Sequence, residues 1–253
     1  MGRWLRCWPG LWSMLVLGLA VPGALHAEPA PLARYLGVDA ALQQIAPLTR
    51  LSLAGGPLHD HLDAAQRAQV ETQVVARLAA EPLRAAVEAA LRELPDSARA
   101  TTLLAAELPQ RVRNFDQVFG VDGAPEKFRD YRRQLAAQPP RAARRALIAA
   151  IDTSSDTSAH AAWLQTAVED CAARHAAAVA GTAPALAPRE QRLSERETAL
   201  RDMAVDLSLY SYRFLRDEEL QQYLDLLRQP AVRSARETAR QALRTALSQL
   251  CAQ

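Results

Sequence analysis

The chain has 253 residues, with 30 basic and 28 acidic side chains. Arg3 and Arg6 lie in a leader described below, and without them the basic and acidic counts are equal. A formally neutral chain lacks the basic excess that an electrostatic grip on nucleic acid or anionic lipid requires. The length suffices to bury a core without help from disulfides or metal.

The N-terminus reads as a secretory signal over residues 1–27. Arg3 and Arg6 make a basic start, Leu11 to Val21 is an uncharged apolar run, and Pro22-Gly23 breaks it before the small residue Ala27. That run is too short to span a bilayer, which needs about 20 helical residues. Cys7 precedes the apolar run, so it does not offer the lipid-modified cysteine of a lipoprotein. The expected location is periplasmic or secreted, in a Gram-negative bacterium, with no membrane span once the signal is cut.

Abundant Ala, Leu, Arg and Glu, with few β-branched residues, predict an all-α fold: a bundle of about nine or ten helices. Proline, glycine and acidic caps divide it. Asp39 is placed to cap a helix over 40–53, and Asp63 one over 64–80. Pro82 suits the first turn of a third helix, ending before Pro95. Asp96 or Ser97 opens a fourth, bent at Pro109 and continuing to Phe119. Helices are expected over 126–138 and from Pro139-Pro140 to Ile151. Asp152 to Thr157 reads as a polar linker before a long helix over 158–179. Residues 181–188 (GTAPALAP) form the clearest linker, dividing an N-terminal helical half, 28–180, from a C-terminal half, 189–253. In the latter, helices are expected over 189–216, after Asp217 to near Pro230, and over 231–250.

Leu193, Leu200, Met203, Leu207, Tyr210 and Phe214 recur at helical spacing and predict one apolar stripe facing the core. Leu103 and Pro109 share the spacing of Leu224 and Pro230, a weak repeat that raises two pseudo-repeated helix–Pro–helix halves. The stretch 209–233 (LYSYRFLRDEELQQYLDLLRQPAVR) resembles the C-terminal signature of a bacterial secreted domain family of unknown function. There a Tyr-rich helix leads to an acidic cap, a Leu/Tyr helix, a Ser-Pro and a second helix; here Gln229-Pro230 replaces Ser-Pro. The resemblance implies an all-helical exported protein and carries no catalytic residues.

Three constellations carry candidate chemistry. His59-Asp60-His61 with Asp63 offers metal-ligand types, but it precedes a helix start where Asp63 has a capping role, so neither a metal nor any other cofactor is expected. Cys171 and His175, one helical turn apart, have the spacing of a nucleophile and its base. The aromatic residues cluster in two places, and Phe115, Phe119, Tyr131, Tyr210, Phe214 and Tyr223 are the candidate lining of a ligand groove. Cys171 and Cys251, an even pair in an oxidising compartment, are the expected disulfide. The reading is an exported, non-enzymatic helical binding or structural module. The sequence does not name its partner; an envelope protein and a second copy are the candidates, and nucleic acid is not expected. A hydrolase with an unrecognised site is the alternative.

Overall fold

The structure, a computed structural model, describes residues 31–116 and 124–252. The expected signal segment, 1–27, lies outside the described residues. The fold is all-α, with no strand among the described residues. Within the described residues fourteen helical segments follow in order: α1 (Pro31–Tyr35), α2 (Val38–Gln43), α3 (Ile45–Ala54), α4 (Pro57–His61), α5 (Ala64–Arg77), α6 (Ala80–Arg92), α7 (Ser97–Ala105), α8 (Glu107–Asp116), α9 (Ala124–Ala137), α10 (Ala142–Ser155), α11 (Thr157–Ala180), α12 (Arg189–Ser211), α13 (Asp217–Leu227) and α14 (Pro230–Ala252). The surplus over the expected number comes from short pieces, α1, α2 and α4, and from a break at Ala106.

That break shows how proline acts. The expected bend at Pro109 falls earlier, because the ring obstructs the carbonyl four residues back, that of Ala105. Helix α7 therefore ends at Ala105, and Pro109 sits in the first turn of α8, where its missing N–H costs nothing. Pro230 likewise opens α14.

Capping follows local chemistry. Asp63 accepts a bond from the Gln66 N–H (2.8 Å) while the Gln66 side chain accepts from the Asp63 N–H (3.0 Å). Asp39 and Asp217 do not cap. Asp39 lies inside α2, where Arg84 donates to it (2.8 Å), and Asp217 is the first residue of α13, where Arg144 donates to it. The cap of α13 is Glu219, whose carboxylate accepts from the Arg216 N–H (2.9 Å).

The tract expected as a linker over 152–157 is instead the last turn of α10 and the first residue of α11, joined through Asp156. Asp156 has φ 52°, the left-handed region that Asp tolerates better than most side chains. Gly181 (φ 74°) closes α11 in the same region, its N–H on the Ala177 carbonyl (2.9 Å). Helix α12 stops at Ser211 rather than Arg216. Arg144 holds the turn that follows by donating to the carbonyls of Tyr212 (2.8 Å) and Leu215 (3.0 Å).

Two main hydrophobic clusters form the interior. The first gathers Val70 and Val74 of α5, Leu83, Val87 and Leu91 of α6, Val168 and Ala172 of α11, and Val232, Leu243 and Leu247 of α14. The second gathers Val112 of α8, Ile148 of α10, Leu209 of α12, and Leu220 and Leu224 of α13. Each fully buried Leu or Val contributes about 1.5–3 kcal/mol by leaving water. The interior does not divide where the chain does: α14 lies beyond 181–188 in sequence and packs most heavily on α6. Cys171 of α11 and Cys251 of α14 form a disulfide (Cα–Cα 5.4 Å), so the last helix is fixed to the middle of α11. No helix among the described residues is long and apolar enough to cross a membrane.

Candidate functional site

The residues singled out in the sequence have local tasks. His59 Nδ1 lies 3.2 Å from Asp60 Oδ1, and Asp63 caps α5. His61 Nε2–H donates to the Thr182 carbonyl (2.7 Å) and ties α4 to the segment after α11. No three His, Cys, Asp or Glu side chains converge on a metal-sized position among the described residues. Cys171 is in the disulfide and so is not a thiolate nucleophile for His175 to activate. Burial, and then the charge of Arg77, push the His175 pKa down.

The aromatic candidates do not share one surface. Tyr131 and Tyr210 meet with ring centroids 5.2 Å apart, Phe128 adds an edge contact to Tyr210 at 5.7 Å, and the Tyr131 hydroxyl donates to the Leu209 carbonyl (3.2 Å). Tyr210 is 4% exposed, whereas Phe214 is 68% exposed, because α12 ends between them and the turn swings Phe214 outward under Arg213. Tyr223 packs against the second cluster. The Phe115 side chain and Phe119 lie outside the described residues.

A cavity of about 230 Å³ lies elsewhere, between the α1–α2 turn, the start of α11 and the middle of α14. Gly37, at φ 73°, bends the chain into α2 there. Leu36, Val38 and Ala41 form one wall, and Leu164, Ala239 and Leu243 the other. Ala40 and Thr157, also on its lining, are exposed, so the cavity reaches solvent beside them.

The polar end is cationic. Arg236 and Arg240, one turn apart on α14, line the cavity with His160 of α11. Arg236 donates to the carbonyls of Ser154 (3.4 Å) and Ser155; Arg240 donates to the Ser155 carbonyl and to Asp156 Oδ2 (3.0 Å). Both thus serve the C-terminal end of α10, where free carbonyls and the helix dipole attract cations. Burial, and next the charge of Arg240, bring the Arg236 pKa down to about 10, so it stays cationic at neutral pH. His160 stacks on Trp163 (centroids 5.6 Å apart, 18° between planes), and its buried Nδ1 has no hydrogen-bond partner among the described residues. Burial, followed by Arg240, Arg244 and Arg236, lowers its pKa to about 4.

Sequence reading passed over Arg236 and Arg240. Their only signal was spacing: with Arg244 they recur every four residues along one face of α14. In an arginine-rich chain, such a row looks like a solvated face until the fold sets it against α10 and α11. No protein-family model, no curated protein and no solved structure matches the chain.

Proposed function

We propose that this chain is an exported, non-enzymatic helical module that binds a small ligand in the cavity between α2, α11 and α14. The observation that carries the reading is a solvent-connected cavity with largely apolar walls and a few convergent polar groups at one end, the usual make-up of a small-molecule site. The polar lining is Arg236, Arg240, His160, Gln44 and Thr157, and the Thr157 hydroxyl lies 2.8 Å from that of Ser155 rather than on a base, which favours binding over turnover. Export is supported by the N-terminal pattern of residues 1–27 and by the likeness of 209–233 to a secreted family. The Cys171–Cys251 bridge fits the same compartment, since disulfides persist where thiols are oxidised.

The test is native mass spectrometry of the chain purified from its own envelope. A bound small molecule is expected, absent from an Ala161→Leu variant whose longer side chain fills the cavity. Wild-type protein that carries no adduct, or an adduct that survives Ala161→Leu, would overturn the reading. Intact mass checks export in the same experiment: a product still holding Trp4, Trp8 and Trp12 contradicts cleavage near Ala27.

A further inference from the structure

We propose that the ligand is a small amphipathic anion, a monocarboxylate with a short apolar tail, whose acid group sits at Arg236 and Arg240. This rests on the cavity being a ligand site and adds the chemistry of what it takes. The first argument is charge. Among the described residues, Asp156 is the only acid within ion-pair distance of either arginine, and it pairs with Arg240 alone (3.0 Å). Two half-buried cations at the cavity thus share one carboxylate and the carbonyl end of α10, which leaves a net positive charge for an anion to meet.

The second argument is donor capacity. A guanidinium has five N–H donors. The Ser154, Ser155 and Asp156 oxygens engage one donor on each of the two terminal nitrogens of Arg236 and of Arg240. The remaining donors match a carboxylate, which accepts through two oxygens in a planar fork. His160 also lines this end, with its Nδ1 closed off from solvent.

The third argument is size and wall chemistry. A 230 Å³ cavity has room for a short-chain acid. Hexanoate is one. Leu164, Ala239 and Leu243 face Leu36, Val38 and Ala41 across most of the remaining space, where Gln44 and Thr157 are the other polar side chains. A sugar would leave most of its hydroxyls unpaired against those walls, at a cost of about 1–3 kcal/mol each. An alkyl tail would not.

Isothermal titration calorimetry on the chain as purified tests this with three probes: hexanoate, 1-hexanol and acetate. Hexanoate is expected to bind at least tenfold more tightly than either. Hexanol lacks the charge, and acetate lacks the tail. Ala161→Leu, which removes no charge, is expected to weaken hexanoate at least tenfold, and Arg240→Gln to abolish the preference for hexanoate over hexanol. Equal binding of hexanoate and hexanol would overturn the anionic ligand while leaving the cavity a ligand site. Equal binding of hexanoate and acetate would overturn the amphipathic one. Failure of all three to bind at about 10 mM would remove both the ligand class and the binding reading. Hexanoate affinity unchanged by Ala161→Leu would put the anion somewhere else and defeat the proposal. If Arg240→Gln does not fold, the three-probe comparison and Ala161→Leu decide the matter without it.

Discussion

Asp152, in the last turn of α10, caps the helix that comes after its own. Its carboxylate accepts from the Ser158 N–H (3.1 Å) and from the Ser158 hydroxyl (2.9 and 2.8 Å), across the left-handed turn at Asp156. Asp156 occupies the N-cap position of α11 but makes no side-chain cap bond there, so the residue four positions earlier does that work. The two helices are thereby locked at the turn whose carbonyls Arg236 and Arg240 also hold.

Removing that carboxylate should be expensive. Asp152 is 7% exposed and Ser158 3%, so Asp152→Ala strips a cap and leaves a buried hydroxyl with less to bond. A lost cap costs about 1 kcal/mol and an orphaned buried polar group about 1–3 kcal/mol, which together give an expected loss of about 2–4 kcal/mol. Urea unfolding measures it. A loss below 1 kcal/mol would mean that water or another side chain replaces the cap.

Acid should weaken the fold through His160. Burial comes first among the causes, then Arg240, Arg244 and Arg236 on α14; on the α2 side it faces Leu36, Val38, Ala41 and Gln44, which do not titrate. Asp156 is the acid at this turn. Its folded pKa of about 4 lies below the ordinary 6.5, so between those values the unfolded chain binds a proton that the folded chain refuses. Stability from this group is therefore complete above pH 6.5 and drains away as pH falls toward about 4, by at most about 1.4 kcal/mol per pH unit. Denaturation midpoints of wild type and His160→Gln between pH 4 and 7 are the check. The two curves should converge on acidification, and parallel curves would refute the assignment.

The α11–α12 contact turns on Glu169. This residue is 8% exposed; Arg192 donates to it, and so does Arg196 (2.8 Å), while Arg192 also donates to Asp170. Taking one partner from a buried pair costs about 3–5 kcal/mol because the other charge is stranded. Here the Asp170 contact remains, and the expected loss for Glu169→Gln is about 1–3 kcal/mol. Arg201→Ala, which removes an exposed pair with Glu197, should change stability by less than about 0.5 kcal/mol. Chemical denaturation of both variants measures the contrast, and similar losses from the two would show that burial does not set the scale here.

Reduction should loosen the end of the chain. The bridge joins cysteines 80 positions apart, and the chain-entropy account gives about 4 kcal/mol for a loop of that length, as an upper value. The Cys171→Ser, Cys251→Ser double variant should lose up to that amount in urea, and added reductant should bring wild type down to the same midpoint. A midpoint unmoved by reductant, with two thiols labelled in unreduced unfolded protein, would mean the cysteines are not joined.

The sequence by itself determined the all-α class and most helix positions. Both rest on information within a few residues: the propensity of Ala, Leu, Arg and Glu, the box of Asp63 and Gln66, and proline at helix starts such as Pro230. Where a boundary depended on a distant group, sequence reading placed it wrongly. Helix α12 ends five residues early because Arg144, far away in the chain, takes the Tyr212 and Leu215 carbonyls. Asp217 meets that same arginine instead of capping α13. The stripe ending at Phe214 was extrapolated along a helix that had already stopped.

The candidate site was decided by tertiary structure alone. Arg236 and Arg240 lie some 80 positions beyond His160 and the three belong to no motif; each is ordinary in its own helix. They become a cationic end to an apolar cavity because α14 leaves the helices that precede it in sequence, packs on α6, and lays its arginine face over the α10–α11 turn. Helix formation is governed by spacing along the chain. The convergence of charges depends on which faces the hydrophobic clusters draw inward, and that is settled only when every helix has found its partner.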